Sequence, residues 1–89
     1  MQKAVHLTIR GKVQGVFFRA ELKEQADHLG ITGWVRNCTD GSVEVFAQGE
    51  THALKKFEAW CAHGPSRAEV THIEKDEQEI ITLTTFQIR

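Results

Sequence analysis

The sequence predicts an α+β domain, an antiparallel sheet carrying two helices on one face, and three observations support that prediction. "AVHLTIR" alternates apolar and polar residues as a half-buried strand does. "FRAELKEQADHLG" spaces its apolar residues as a helix does. A hairpin signal, Asp40-Gly41, then leads back into a second strand-then-helix succession. With 89 residues, 40% of them hydrophobic, the chain is expected to form one domain over 1–89 around one modest core.

In "AVHLTIR" the residues Val5, Leu7 and Ile9 fall on one face, the period-2 signature of a strand. Phe18, Leu22, Ala26 and Leu29 then lie four, four and three apart, so they share one stripe of a helix that Gly30 ends. "ITGWVRN" and "SVEVFAQ" are β-rich runs joined by "CTDG". Thr51 is placed to cap a second helix whose buried stripe is Leu54, Phe57, Trp60 and Cys61, with Gly64-Pro65 as its stop. A fourth strand is expected near "AEVTHIE", a solvated turn at the charged "KDEQE", and a short extra C-terminal strand around Phe86 and Ile88. The order β-α-β-β-α-β is that of the ferredoxin-like split βαβ sandwich. Right-handed crossovers in that arrangement place the first and third strands side by side in the middle of the sheet. The stripe assigns Phe57 and Trp60 to the core, whereas the facing of the strand residues Trp34 and Phe46 stays open.

Charge narrows the function classes. A formal net charge of −1 argues against a general nucleic-acid binder. The charge is uneven: residues 1–38 carry six Lys/Arg against three Asp/Glu, and residues 39–89 carry five against nine. The N-terminal "MQKAVHLT" lacks the apolar stretch of a signal peptide, and no segment is long and apolar enough to cross a bilayer, so a cytoplasmic protein with no membrane partner is expected. Cys38 and Cys61 are too few and too unpatterned for a disulfide framework or a zinc site and read as free thiols. His6, His28, His52, His63 and His72 show no H-x-x-x-H or Cys/His pairing, so no metal is expected.

"GKVQGVFFRAE" interrupts the periodic pattern in the more basic part of the chain. Gly11 and Gly15 permit positive φ or close backbone approach, and the segment runs directly into a helix N-terminus, whose unpaired N–H groups and dipole favour anions. Arg19 stands in the first helical turn, where a cation is disfavoured by about 0.3–1 kcal/mol, which suggests that an anion joins it there. On these residues alone, an anion cradle and a solvated arginine at an ordinary turn fit equally well, because G-x-x-x-G is common and the Walker consensus is absent. Asn37, at the end of the second strand, can donate and accept hydrogen bonds, though an asparagine beside Asp-Gly more commonly bonds its own turn.

Taken together, "GKVQGVFFR" and "GWVRNCTDGSVEV", followed by "GPSRAEV" and a terminal "FQIR", closely resemble the acylphosphatase family over essentially the whole chain. The resemblance implies the ferredoxin-like fold and metal-free hydrolysis of the carboxyl-phosphate anhydride of a small acyl phosphate to a carboxylate and inorganic phosphate, with no cofactor. It implies that Arg19 binds the phosphoryl group and that Asn37 positions the attacking water. It further implies a cradle made of the main-chain amides of Gly15, Val16, Phe17, Phe18 and Arg19. A monomer is the expected assembly. Cys38 stands where a less reactive residue such as threonine is expected, which implies a site sensitive to thiol reagents.

Two other readings use the same elements. RNA-recognition modules share the strand and helix order, but they pair aromatic with basic residues on the open sheet face, and here tyrosine is absent and the net charge acidic. A noncatalytic anion sensor would use the same loop, and Asn37 distinguishes it from an enzyme, because a binding module has little need to position water.

Overall fold

The computed structural model describes residues 1–89. In chain order the elements are β1 (Gln2–Lys12), α1 (Phe18–Leu29), β2 (Thr32–Asn37), β3 (Val43–Glu50), α2 (Thr51–His63), β4 (Glu69–Gln78) and β5 (Phe86–Ile88). The strands form one sheet in the order β4-β1-β3-β2-β5. β1 pairs with β3 at the centre, as the right-handed crossovers require, and both helices pack on one face.

The alternation in each strand determines that face. Val5, Leu7 and Ile9 of β1 lie opposite Ala47, Val45 and Val43 of β3, and Val35 of β2 joins them. All are buried under the stripes Phe18, Leu22 and Ala26 of α1 and Leu54, Phe57 and Cys61 of α2. Burying each such large side chain is worth about 1.5–3 kcal/mol, so these two stripes attach the helices to the sheet. Trp60 is only half-buried and sets its edge against Phe18 with ring centroids 5.6 Å apart. Trp34 and Phe46 take the open face of the sheet, stacked at 6.4 Å and 18°.

Several details depart from the periodicity. β5 pairs with β2 in parallel, which makes the sheet mixed. The reason is topological: β4 ends where β1 begins, so chain that crosses this end of the sheet and turns back must run alongside β2 in the same direction. The crossing segment is pinned midway by Gln48 of β3, whose Nε2 donates to Ile81 O at 2.7 Å while its Oε1 accepts from Ile81 N–H at 2.8 Å. β4 continues to Gln78, so most of "KDEQE" is strand rather than turn. At an edge strand, charged side chains are exposed without loss of the ladder and also block edge-to-edge pairing. Helix α2 begins at Thr51 with Glu50 as its cap position. The Thr51 hydroxyl and N–H both donate to Met1 O, at 2.8 and 3.0 Å, so this residue ties the N-terminus down instead of capping the helix.

Candidate active site

β1, β2 and β5 run in one direction and finish at the same end of the sheet, at Lys12, Asn37 and Ile88, where α1 also begins. A cavity of about 290 Å³ opens there, and Gly15, Phe17, Phe18, Arg19 and Asn37 line it together with Val13, Ala20 and Ile88. Residues 18 positions apart in the chain, Arg19 and Asn37, thus share one cavity because a strand end meets a helix start. Val16 is the exception among the proposed cradle residues, with its side chain in the core rather than along the cavity.

The loop's conformation follows from how its side chains divide. Val13, Val16 and Phe18 insert into the core, which leaves the intervening backbone to turn sharply outside it. Gly15 does so at φ 73°, without steric cost. Phe17 does so at φ 63° with its ring 69% exposed, a left-handed conformation that costs a residue with a Cβ about 1–2 kcal/mol. A bulky residue held in strain without burial is a mark of a functional segment.

The N–H groups of Gly15, Val16 and Phe17 have no backbone acceptor. Those of Phe18, Arg19 and Ala20 lie ahead of the helix's first bond, from Glu21 N–H to Phe17 O at 3.1 Å. No side chain caps the helix. Consecutive unpaired amides around left-handed residues form an anion-binding concavity, reinforced by the helix dipole.

Arg19 is half-buried and forms no ion pair within the chain. Two arginines of the sheet do: Arg10 bridges Asp40 and Glu74, and Arg36 is bonded to Glu44, which His6 also meets at 2.7 Å. Asn37 lines the same cavity, and its Oδ1 is buried and has no hydrogen-bond partner in the protein, a condition that costs about 1–3 kcal/mol unless something satisfies it.

Asn37 does not bond its own turn. That task falls to Asp40, whose Oδ1 accepts from the Ser42 hydroxyl at 2.6 Å and from Ser42 N–H at 3.0 Å. These hydrogen bonds, with Arg10 beside them, hold the Asp40 carboxyl well below the usual carboxylate range, at about 2.

Sequence reasoning missed Gln14, which reaches across to the hairpin: its Nε2 donates to Cys38 O at 2.8 Å and to Ser42 O at 2.9 Å. Its neighbours Val13 and Val16 are both buried, but they lie three apart, so strand alternation gave no signal for Gln14. Ile88 had no signal either, because only the parallel pairing of β5 brings it to the cavity.

Both thiols are free, Cys38 half-buried in the hairpin and Cys61 in the core, where burial raises its pKa. No three His, Cys, Asp or Glu side chains converge in a metal-binding arrangement, and no helix is long and apolar enough to cross a membrane. A groove of about 250 Å³ between β1, α2 and β4 is lined by Lys3, Lys55 and a Lys75 already paired with Glu58 at 2.9 Å. It has neither the free amides nor the orphaned amide oxygen of the cavity at the end of β1.

Fold and cavity together define a ferredoxin-like sandwich whose strand-to-helix loop leaves its backbone amides without acceptors in the chain. A model of the acylphosphatase family matches residues 5–88. An acylphosphatase of Nitrosococcus oceani is 43% identical over 89 residues, covering all of both chains. One from Marinobacter nauticus is 50% identical over 72 residues, 81% of this chain and 78% of that one. The solved structure of an acylphosphatase from Coxiella burnetii superposes with a TM-score of 0.95 at 36% identity, over 99% of this chain and 93% of that one. The chain belongs to the acylphosphatase family, the hydrolases of acyl phosphates.

Proposed function

We propose that the cavity between β1, α1 and β2 hydrolyses acyl phosphates without a metal. In this reading Arg19 and the amides of residues 15–19 hold the phosphoryl group, and Asn37 orients the attacking water. The observation that carries it is that one cavity gathers loop residues whose N–H groups have no acceptor, an arginine without an ion-pair partner, and Asn37, whose buried amide oxygen has no partner in the protein.

Phosphoryl transfer is mostly positioning and stabilisation of charge on the three equatorial oxygens. Backbone amides supply fixed dipoles, and a guanidinium supplies two parallel donors to one phosphoryl group. Water oxygen attacks phosphorus from the Asn37 side as the bond from phosphorus to the acyl oxygen breaks. The carboxylate departs with the bonding electrons, and a phosphoryl oxygen takes the water's proton. Because a carboxylate is a weak base, the step needs no strong general acid, and none lies beside Arg19 and Asn37 in the cavity wall. The products are a carboxylate and inorganic phosphate, and the setting consistent with these requirements is a monomer in the cytoplasm.

The test is hydrolysis of benzoyl phosphate in the presence of a chelator by the wild type, Arg19→Ala and Asn37→Ala. Chelator-insensitive turnover that each variant loses by about 10²-fold or more is expected. Turnover abolished by the chelator, or undiminished in Arg19→Ala, overturns the mechanism. A folded wild type that binds phosphate but turns nothing over would make the domain an anion sensor.

A further inference from the structure

We propose that Gln14 is a positioning residue for this reaction: it sets the separation between the phosphate-holding loop and Asn37. The inference rests on the hydrolytic reading above. The two halves of the site belong to separate connections, the loop after β1 and the hairpin after β2, and Nε2 of Gln14 joins them with its two donated bonds to Cys38 O and Ser42 O. Cys38 directly follows Asn37, and Gly15, the first of the proposed cradle amides, directly follows Gln14. Past the end of the β1–β3 ladder at Ile9 and Val43, a single side-chain amide therefore spans the gap, one residue removed from each of the groups whose relative placement the chemistry needs.

The two carbonyls do not need Gln14 to be satisfied. Cys38 O already accepts from Gly41 N–H at 3.1 Å, and Ser42 O already accepts from Cys38 N–H at 2.9 Å. Gln14 occupies the second lone pair of each. Its removal leaves no acceptor orphaned, so the bonds contribute geometry more than polar satisfaction. Beyond the β1–β3 ladder, which ends at Ile9 opposite Val43, a second side-chain link between β1 and this hairpin is Arg10 to Asp40 at 3.2 Å; both side chains are exposed and neither lines the cavity. If the loop drifts relative to Asn37, the phosphate stays bound while the water loses its line of attack. Misplacement on the order of 1 Å can cost as much as 10²-fold in rate.

Gln14→Leu, which keeps the bulk and deletes the donor, separates this role from a merely structural one. The expected result is a kcat on benzoyl phosphate lower by about 10- to 100-fold, with the inhibition constant of inorganic phosphate changed by less than about threefold. Combined with Asn37→Ala, it should lower the rate little further than Asn37→Ala alone, because the positioned water is already lost.

A kcat equal to wild type, a phosphate affinity that falls in step with kcat, or fully additive losses overturn the proposal. Should Gln14→Leu fail to fold, Gln14→Glu takes its place. Its ionised carboxylate cannot donate, so activity relative to wild type should rise as pH falls and the carboxyl gains its proton, and a flat ratio overturns the proposal. If Arg19→Ala and Asn37→Ala are as active as wild type, the hydrolytic reading has failed instead.

Discussion

The two connections that meet at the cavity are opposites in their polar bookkeeping. In the hairpin of residues 38–42 the polar groups pair within the chain: Asp40 accepts from both Ser42 donors, Arg10 faces Asp40, Cys38 N–H donates to Ser42 O, Gly41 N–H donates to Cys38 O, and Gln14 donates to the carbonyls of Cys38 and Ser42. In the loop of residues 13–17 the amides are free, the helix has no side-chain cap, Phe17 is strained in the open and Arg19 has no ion-pair partner. Both contain a glycine at positive φ, so the backbone alone does not tell them apart. What differs is whether the polar groups are satisfied within the chain. A turn that satisfies itself is a structural part, and one that leaves donors free in a cavity has them free for a ligand.

The contrast is broken most directly at Arg19. Arg19→Lys retains the charge but not the planar pair of donors, and about a 10²-fold loss in kcat/KM on benzoyl phosphate is expected. A lysine variant as active as wild type would reduce Arg19 to a point charge.

A matched pair of glycine substitutions sharpens it further. Gly15 (φ 73°) and Gly41 (φ 92°) are both left-handed, and a Cβ at either meets nothing within 4 Å. Gly15→Ala and Gly41→Ala should therefore cost similar stability, about 1 kcal/mol each by thermal or denaturant unfolding. Only Gly15→Ala should lower activity, by about tenfold, since only its amide turns toward substrate in the proposed reaction. Equal activity losses would mean that the difference between the two connections has no bearing on catalysis.

Smaller still is the effect of relieving Phe17. Phe17→Gly removes the left-handed strain and little packing, so a gain of about 0.5–1 kcal/mol in stability is expected along with reduced turnover. A loss of stability would show that the exposed ring supports the loop.

The last prediction concerns the self-satisfied side. The Asp40 carboxyl titrates below its unfolded value, so its contribution is complete above about pH 4 and is lost as pH falls toward about 2. Unfolding followed across that window should show a shallower decline in Asp40→Asn than in wild type, by a small margin because the carboxylate is exposed to solvent screening. Identical acid profiles would remove Asp40 from the stability of the hairpin.

Legibility in the sequence tracked how local each cause is. Alternation in "AVHLTIR" and the stripe Phe18, Leu22, Ala26 translate directly into burial because neighbours on one strand or helix face share an environment. Arg19 and Asn37 were ambiguous from their own neighbourhoods and became site candidates only when the two segments that hold them were read together as resembling one family. Thr51 misled because its hydroxyl found Met1, 50 residues away, and "KDEQE" misled because an edge strand tolerates charge that a central strand would not. The stacking of Trp34 on Phe46 depends on the register between β2 and β3, which neither strand encodes alone.

The sequence by itself determined the seven elements' approximate places and the apolar faces that join them, because these rest on residue type and short-range spacing, whereas it singled out the loop and its arginine only through resemblance to a family. Only the tertiary structure decided that β5 runs parallel to β2 and brings Ile88 to the cavity, that Asn37 shares one cavity with Arg19 and has its oxygen unpaired, and that Gln14 bridges the two connections. The physical reason is that those contacts close between segments distant in sequence, so they follow from how the whole sheet packs and not from the pattern of any one stretch.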